Sequence, residues 1–387
     1  MKANLRHAAG SLMVVGLGGT ELTALERAWL KLVKPAGVIL FRRNISDARQ
    51  TRALLDEATA LCAQNSFRCV DAEGGTVDRL RDALAPMPSA QTVAEAARRI
   101  NCGSCVPTLS QRTRKDGAPY GSALIREHGE LIARGVKAFG FNTTLAPVMD
   151  LALPESADVM GSRAAGANAE DVVIYAREFL AGLAAQNVAG CGKHFPGLGG
   201  GALDSHLGTP AIHRSARALE RADLVPYREL CSELPMVMVS HASYPETPSK
   251  KLPASVSSYW IQAVLRKRIG YRGIIFSDDL EMGGILKFMP IEEAAVAAIR
   301  AGMNLVEICH SPELILRAYE ALIAEGERSA AFAKLLFARA KETERQRAKL
   351  FINGVPAALT AKQFEALRGR ILSFSEIAAK ILEAQTA

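Results

Sequence analysis

The chain has 387 residues, of which 49% are hydrophobic, 22% charged and only 6% aromatic. That is material for one large domain or two medium ones around a mainly aliphatic core. No apolar run reaches bilayer-spanning length, Met1–Gly10 is polar, and Ser11–Leu17 is too short for a secretory signal, so a soluble cytoplasmic protein without membrane partners is expected. The seven cysteines, an odd number, fit a reducing compartment, and the lone Cys102-Gly-Ser-Cys105 pair lacks the second pair that a zinc site needs. No metal or cofactor is expected. The net charge of +7 is scattered, with modest clusters at Arg112-Arg114-Lys115 and along 339–349. The second cluster reads as a solvated helix face, so nucleic acid is not expected, whereas a basic pocket would suit an anionic sugar.

In chain order, short apolar runs alternate with longer amphipathic stretches. Strands are expected at Ser11–Gly16, Gly37–Phe41, Arg68–Asp71, Asn142–Pro147, Val188–Lys193, Pro235–His241, Gly273–Asp278 and Met303–Ile308. Helices are expected at Glu21–Leu32, Asp47–Leu61, Gln91–Ile100, Leu124–Ala138, Ala169–Ala185, Ala216–Leu230, Tyr259–Ile269 and Ile291–Ala301. Strands buried on both faces read as continuous apolar runs, and eight of them alternating with helices indicate an α/β fold, a (β/α)8 TIM-type barrel. The open-sheet alternative lacks a GxGxxG after its first strand, where Gly16-Leu17-Gly18-Gly19 is only a turn. The barrel is expected over 1–328. Residues 329–387 are expected as C-terminal helices packed on it: one helix to about Phe351, then Ala361–Arg368 and Ser375–Ala384. The long stretch from Ala90 to Tyr120 reads as a helix and then a loop over the strand-3 end.

Charged residues gather at the carboxyl ends of these strands: Arg42-Arg43, Asp71 and Glu73, Asp150, Lys193-His194, His241, Asp278-Asp279 and His310. Barrel enzymes build their sites at that end. After Lys193-His194 comes a loop with Gly197, Gly199, Gly200 and Gly201, ending in Asp204-Ser205-His206. In extended backbone Asp204 and His206 point the same way, so the carboxylate can fix the imidazole tautomer and raise its basicity, making a proton shuttle near neutral pH. A turn or helix cap formed by Asp204 is the alternative. Similarly, either Asp278 or Asp279 can be a nucleophile at a strand terminus or cap the next helix. Glu73 is expected to brace the Gly-Gly turn or Arg79, and His241 to be either a site residue or a core histidine. His7, His128, His213 and His310 are expected to be surface or structural.

Lys193-His-Phe-Pro-Gly-Leu-Gly with Asp204-Ser-His206, followed by Ser277-Asp-Asp-Leu-Glu-Met282, resembles the glycoside hydrolase family 3 β-N-acetylglucosaminidases. So do Asp71-Ala-Glu-Gly-Gly-Thr-Val-Asp-Arg79, Leu145-Ala-Pro-Val-Met-Asp150, Gly161-Ser-Arg163, Ser240-His241 and Pro253-Ala-Ser255, all in the family's order. The resemblance spans about Ser11 to Gly326. It implies a retaining exo-hydrolase of terminal β-linked N-acetylhexosamine, acting on glycan fragments such as those of peptidoglycan recycling. In it, Asp278 would be the nucleophile, His206 the acid/base and Asp204 its orienting partner. Asp71, Arg79, Arg163, Lys193 and His194 would bind the terminal sugar. Two departures stand out: Leu198 where the family usually has histidine, and Ala164-Ala165-Gly166 where it has Ser-Phe-Gly. A phosphorylase using the same residues and a non-catalytic sugar-binding barrel are the alternative readings.

Overall fold

The computed structural model describes residues 2–101, 120–201, 208–355 and 357–384. Cys102, Cys105, Asp204 and His206 lie outside the described residues. Eight parallel strands close into a barrel: β1 (Met13–Gly16), β2 (Gly37–Leu40), β3 (Phe67–Val70), β6 (Thr143–Thr144), β7 (Ala189–Phe195), β8 (Met236–Val239), β9 (Ile274–Asp279) and β10 (Leu305–Ile308). Going round the barrel, the strands follow chain order and β10 pairs with β1. Every strand expected from the apolar runs is present, shifted by a few residues at its ends. A small antiparallel hairpin, β4 (Ala72–Gly74) with β5 (Val77–Asp78), grows from the carboxyl end of β3.

Apart from Asp278 and Asp279 at the end of β9, the barrel strands are buried, because each has two covered faces. Ile39, Cys69, Leu145, Cys191, Met238, Phe276 and Leu305 fill the interior. Alternate residues such as Val38, Val70, Val237, Ile275 and Val306 pack outward against the helices. Helix starts are written locally. Thr23 and Glu26 form a reciprocal capping box, and Asp47, Asn168, Ser311 and Ser329 each accept from a backbone N–H three residues on. The amino end of the barrel is plugged by Phe351, whose ring stands edge-on at 5.1 Å to Phe67, the first residue of β3.

Two expectations need correction. The helix expected over Ala216–Leu230 is two short ones, Ala216–Arg221 and Val225–Glu229, because Pro226 opens the second and buried Asp223 sits in the break. The two helical pieces expected after residue 360 are one helix, Ala361–Glu383, whose apolar face continues through buried Ile371 and Phe374. The polar amino-terminal stretch contains a helix, Lys2–Gly10, that buries Leu5, Ala8 and Ala9. Helix Ala330–Leu350 lies against Lys2–Gly10 and Pro312–Arg328, and Ala361–Glu383 against Ala90–Asn101 and Tyr120–Ala138. Among the described residues no helix is long and apolar enough to cross a membrane.

Close strand packing depends on Gly37, which pairs with Phe67. A Cβ at 37 would lie 2.3 Å from the Phe67 carbonyl oxygen and 2.6 Å from its nitrogen. Backbone cannot yield as a side chain can, so Gly37→Ala is expected to lower stability by about 3 kcal/mol or more, read as a fall in the midpoint of urea unfolding.

Candidate active site

At the carboxyl end of the barrel one cavity of about 200 Å³ is lined by Asp71, Arg79, Arg163, Lys193, His194 and Asp278, drawn from four separate parts of the fold. Asp71 leaves β3 and Glu73 follows on β4, so the hairpin folds both carboxylates toward the barrel axis. Lys193 projects from β7 between them, with Nζ 2.9 Å from Asp71 Oδ1 and 2.7 Å from Glu73 Oε1. Arg163 grips the same Glu73 as a fork, its Nε and Nη2 each donating over 2.9 Å. Arg79 closes the row at 3.7 Å from Asp71 Oδ2.

Burial alone would raise the Glu73 carboxyl, but Arg163 and Lys193 outweigh it and hold it at about 2. The same pairing outweighs burial at the two cations and raises both above their ordinary values. Glu73 therefore braces Arg163 and Lys193 rather than the Gly-Gly turn or Arg79.

The paired aspartates of β9 divide their work. Burial would raise Asp278, yet His194, His241, the Asp279 N–H and Lys193 together bring it below the ordinary carboxylate range. Asp279 also borders the cavity, but its Oδ1 accepts from the N–H groups of Glu281 at 3.0 Å and Cys309 at 3.2 Å. Burial, with Glu281 and Asp278 close by, lifts its carboxyl to about 7. His241 is completely buried: Nε2 donates to the Asp279 carbonyl at 2.9 Å, and Ser255 Oγ lies 2.7 Å from Nδ1. It is a core histidine that fixes the turn after Asp278, and burial keeps it below its ordinary pKa against the pull of Asp278.

Asp150, only 1% exposed, organises the entry to the glycine loop. Its Oδ2 lies 2.6 Å from His194 Nδ1 and accepts the His194 N–H at 3.1 Å, while Oδ1 accepts the Leu198 N–H at 2.7 Å. A carboxylate only accepts, so the ring proton sits on Nδ1. The Tyr244 hydroxyl donates to the Gly197 carbonyl at 2.8 Å. Thr209 Oγ1 donates to Gly284 O at 2.6 Å. Leu198 itself is a buried part of the cavity wall, and Ala164 and Ala165 are fully buried.

Sequence reasoning gave Asp150 no role and missed Phe41 at the rim, where the ring stacks 5.3 Å from His310 and lies under Arg43 at 4.8 Å. It left His310 as surface or structural, yet His310 borders the cavity. The position of Asp150 just past a strand was the available signal; nothing local marks Phe41. Arg43 serves structure, donating to the carbonyls of Leu17 and Cys309. Among the described residues one trio, Asp279, Glu281 and His310, brings donor atoms within 4.8 Å of one another. The Glu281 oxygens already accept from the N–H groups of His310 and Ser311, so the trio clamps the turns after β9 and β10.

Removing Glu73 leaves Arg163 without its carboxylate partner and the buried Lys193 with Asp71 alone. Glu73→Gln is expected to cost about 3–5 kcal/mol at pH 7, read by urea unfolding. Because Glu73 is depressed in the folded state, its contribution is complete above the ordinary 4.5 and fades as pH falls toward about 2. The difference between wild type and variant should therefore shrink across that interval; a pH-independent difference would contradict the pairing.

With this arrangement in view, comparison with known proteins is direct. The family described as Glycosyl hydrolase family 3 N terminal domain matches residues 5–336. A Beta-hexosaminidase of Alkalilimnicola ehrlichii is 39% identical over 304 residues, 78% of this chain and 82% of that protein. A Beta-hexosaminidase of Pseudomonas aeruginosa is 35% identical over 316 residues, 81% and 87% of the two chains. Native NagZ from Neisseria gonorrhoeae superposes with a TM-score of 0.72 at 29% identity over 97% of each chain, and NagZ has also been solved with N-trifluoroacetyl-D-glucosamine. A family 3 beta-N-acetylglucosaminidase from Paenibacillus sp. gives a TM-score of 0.80 at 28% identity, over 96% of this chain and 68% of that one. The chain therefore belongs to glycosyl hydrolase family 3 and is a glycoside hydrolase built on that family's N-terminal barrel.

Proposed function

We propose that the protein is a retaining exo-β-N-acetylglucosaminidase that removes terminal β-linked N-acetylhexosamine from glycan fragments, with peptidoglycan fragments in the cytoplasm as its substrates. The observation that carries the reading is Asp278: a carboxylate held ionised on the wall of a cavity whose other charged groups are already matched to one another. A nucleophile must stay anionic next to an electron-poor anomeric carbon, and this environment keeps it so.

Asp71, Arg79, Arg163, Lys193 and His194 hold the terminal sugar, the cations donating to hydroxyls and the acetamide and Asp71 accepting from hydroxyls. The cavity, at about 200 Å³, suits a single ring rather than an extended glycan, which supports removal from a chain end. In the first step Asp278 attacks the anomeric carbon while His206, oriented by Asp204, gives its proton to the departing oxygen. In the second, His206 takes a proton from water, whose oxygen displaces Asp278 and restores the β configuration. The relatives' description as beta-hexosaminidases and the glucosamine derivative in the NagZ structure support the sugar. The ion-pair row leaves Arg163 and Lys193 committed to Glu73 and Asp71, so little positive charge is spare for phosphate, which supports water as the acceptor.

With 4-nitrophenyl N-acetyl-β-D-glucosaminide, wild type should release nitrophenol and Asp278→Ala should lose at least ~10³-fold in kcat. A 2-fluoro sugar trap should label Asp278 by mass spectrometry. Labelling elsewhere, or equal activity in both proteins, would remove Asp278 from the mechanism, and sugar 1-phosphate formed in phosphate buffer would replace hydrolysis by phosphorolysis. Since Asp278 is depressed, kcat/KM should hold as pH falls and drop only below the ordinary carboxylate value of ~4. His206→Ala and Asp204→Ala should lose the basic limb of the same profile.

A further inference from the structure

Below the charged row the cavity floor contains a group that the mechanism above does not use. β10 presents Leu305 and Cys309 to the apolar barrel interior, and Glu307 lies between them in the same alternation. Glu307 is 2% exposed, yet it borders the cavity. Its Oε1 has no hydrogen-bond partner among the described residues, and no described cation pairs with it. The nearby cations are committed: Lys193 to Asp71 and Glu73, and Arg163 to Glu73. The groups that face Glu307 are Asp279 and Asp278 on β9, Asp71 after β3 and Lys193 on β7. Burial first, and then the three aspartates against one lysine, hold its carboxyl well above the ordinary range. A neutral carboxyl carries one O–H donor and one carbonyl acceptor. Around it, Met238, Phe276, Leu145 and Cys191 offer no strong partner for either.

We propose that Glu307 is a specificity-determining residue of the sugar pocket: its unpartnered carboxyl on the cavity floor exchanges a hydrogen bond with a hydroxyl of the bound ring. The inference rests on the reading of this cavity as a sugar site. An unmet buried carboxyl costs free energy in the empty protein and gains a partner when the ring seats, so it favours ligands that place a hydroxyl there over those that do not. It takes no part in bond making or breaking.

The test is calorimetric titration of N-acetylglucosamine into wild type, Glu307→Gln and Glu307→Leu, with thermal melts of each. Glu307→Gln keeps a neutral donor and acceptor and should bind within about threefold of wild type, whereas Glu307→Leu should bind about tenfold more weakly. Glu307→Leu should melt no lower than wild type, because an apolar side chain suits its surroundings better than an unpaired acid. In turnover, its loss should appear in KM more than in kcat. Equal affinity of Glu307→Leu and wild type overturns the proposal. So does equal weakening in both variants, which would mean that the charge and not the neutral hydrogen bond matters. Failure of Glu307→Leu and of Glu307→Met to fold also overturns it, by giving the acid a structural role. A wild type that binds the sugar without hydrolysing its chromogenic glycoside removes the hydrolytic reading and leaves this comparison decisive. A wild type that binds no N-acetylglucosamine overturns it.

Discussion

The site depends on one buried ammonium. Lys193 lies 3% exposed inside a mainly apolar barrel, and such a charge is tolerable only with partners at contact distance. Asp71 and Glu73 supply them, and Glu73 in turn is gripped by Arg163. The row therefore sets where three separate pieces of chain must meet: the end of β3 with its hairpin, the turn at Gly161–Arg163, and β7. It also fixes the electrostatics felt by Asp278, because cations spent on Glu73 and Asp71 leave a balanced rather than a strongly positive pocket. Asp278 lies below the ordinary carboxylate range without a dedicated counter-ion of its own.

A second anchor is a single buried carboxylate, Asp150. Asp150 accepts from His194 and Leu198, so the strand that bears Lys193 and the start of the glycine loop are held by one carboxylate. Gly197, with φ +136, lies over Asp223, and a Cβ there would fall 2.7 Å from the Asp223 side chain. Gly197 thus answers both to backbone conformation and to space.

The barrel supports both anchors by making depth a matter of strand register. Residues two apart on one strand face the same side, so Leu305, Glu307 and Cys309 rise through the interior toward the cavity. The same strand that seals the apolar floor thereby puts an acid at the base of the cavity. Neighbouring β9 ends in two aspartates with opposite fates. One lies below the ordinary carboxylate range beside His194 and Lys193, and the other is raised among acids and absorbed by backbone N–H groups.

The sequence by itself determined the barrel, because strands buried on both faces must be continuously apolar and their alternation with helices admits few topologies. It also pointed to the carboxyl end of the barrel as the place where charged side chains gather, since Asp71, Lys193-His194 and Asp278 each follow an apolar run directly. It passed over the local break at Pro226, and it split the helix Ala361–Glu383, whose apolar face continues unbroken along the barrel wall. What only the tertiary structure decided is pairing. Nothing local to Glu73 points to Arg163, ninety positions away, or to Lys193 beyond it. Nothing in Leu305–Ile308 says that its one acid borders a cavity instead of meeting a cation. Partners across a closed barrel are set by strand order and register, and a carboxyl's protonation is set by which of those partners are already taken.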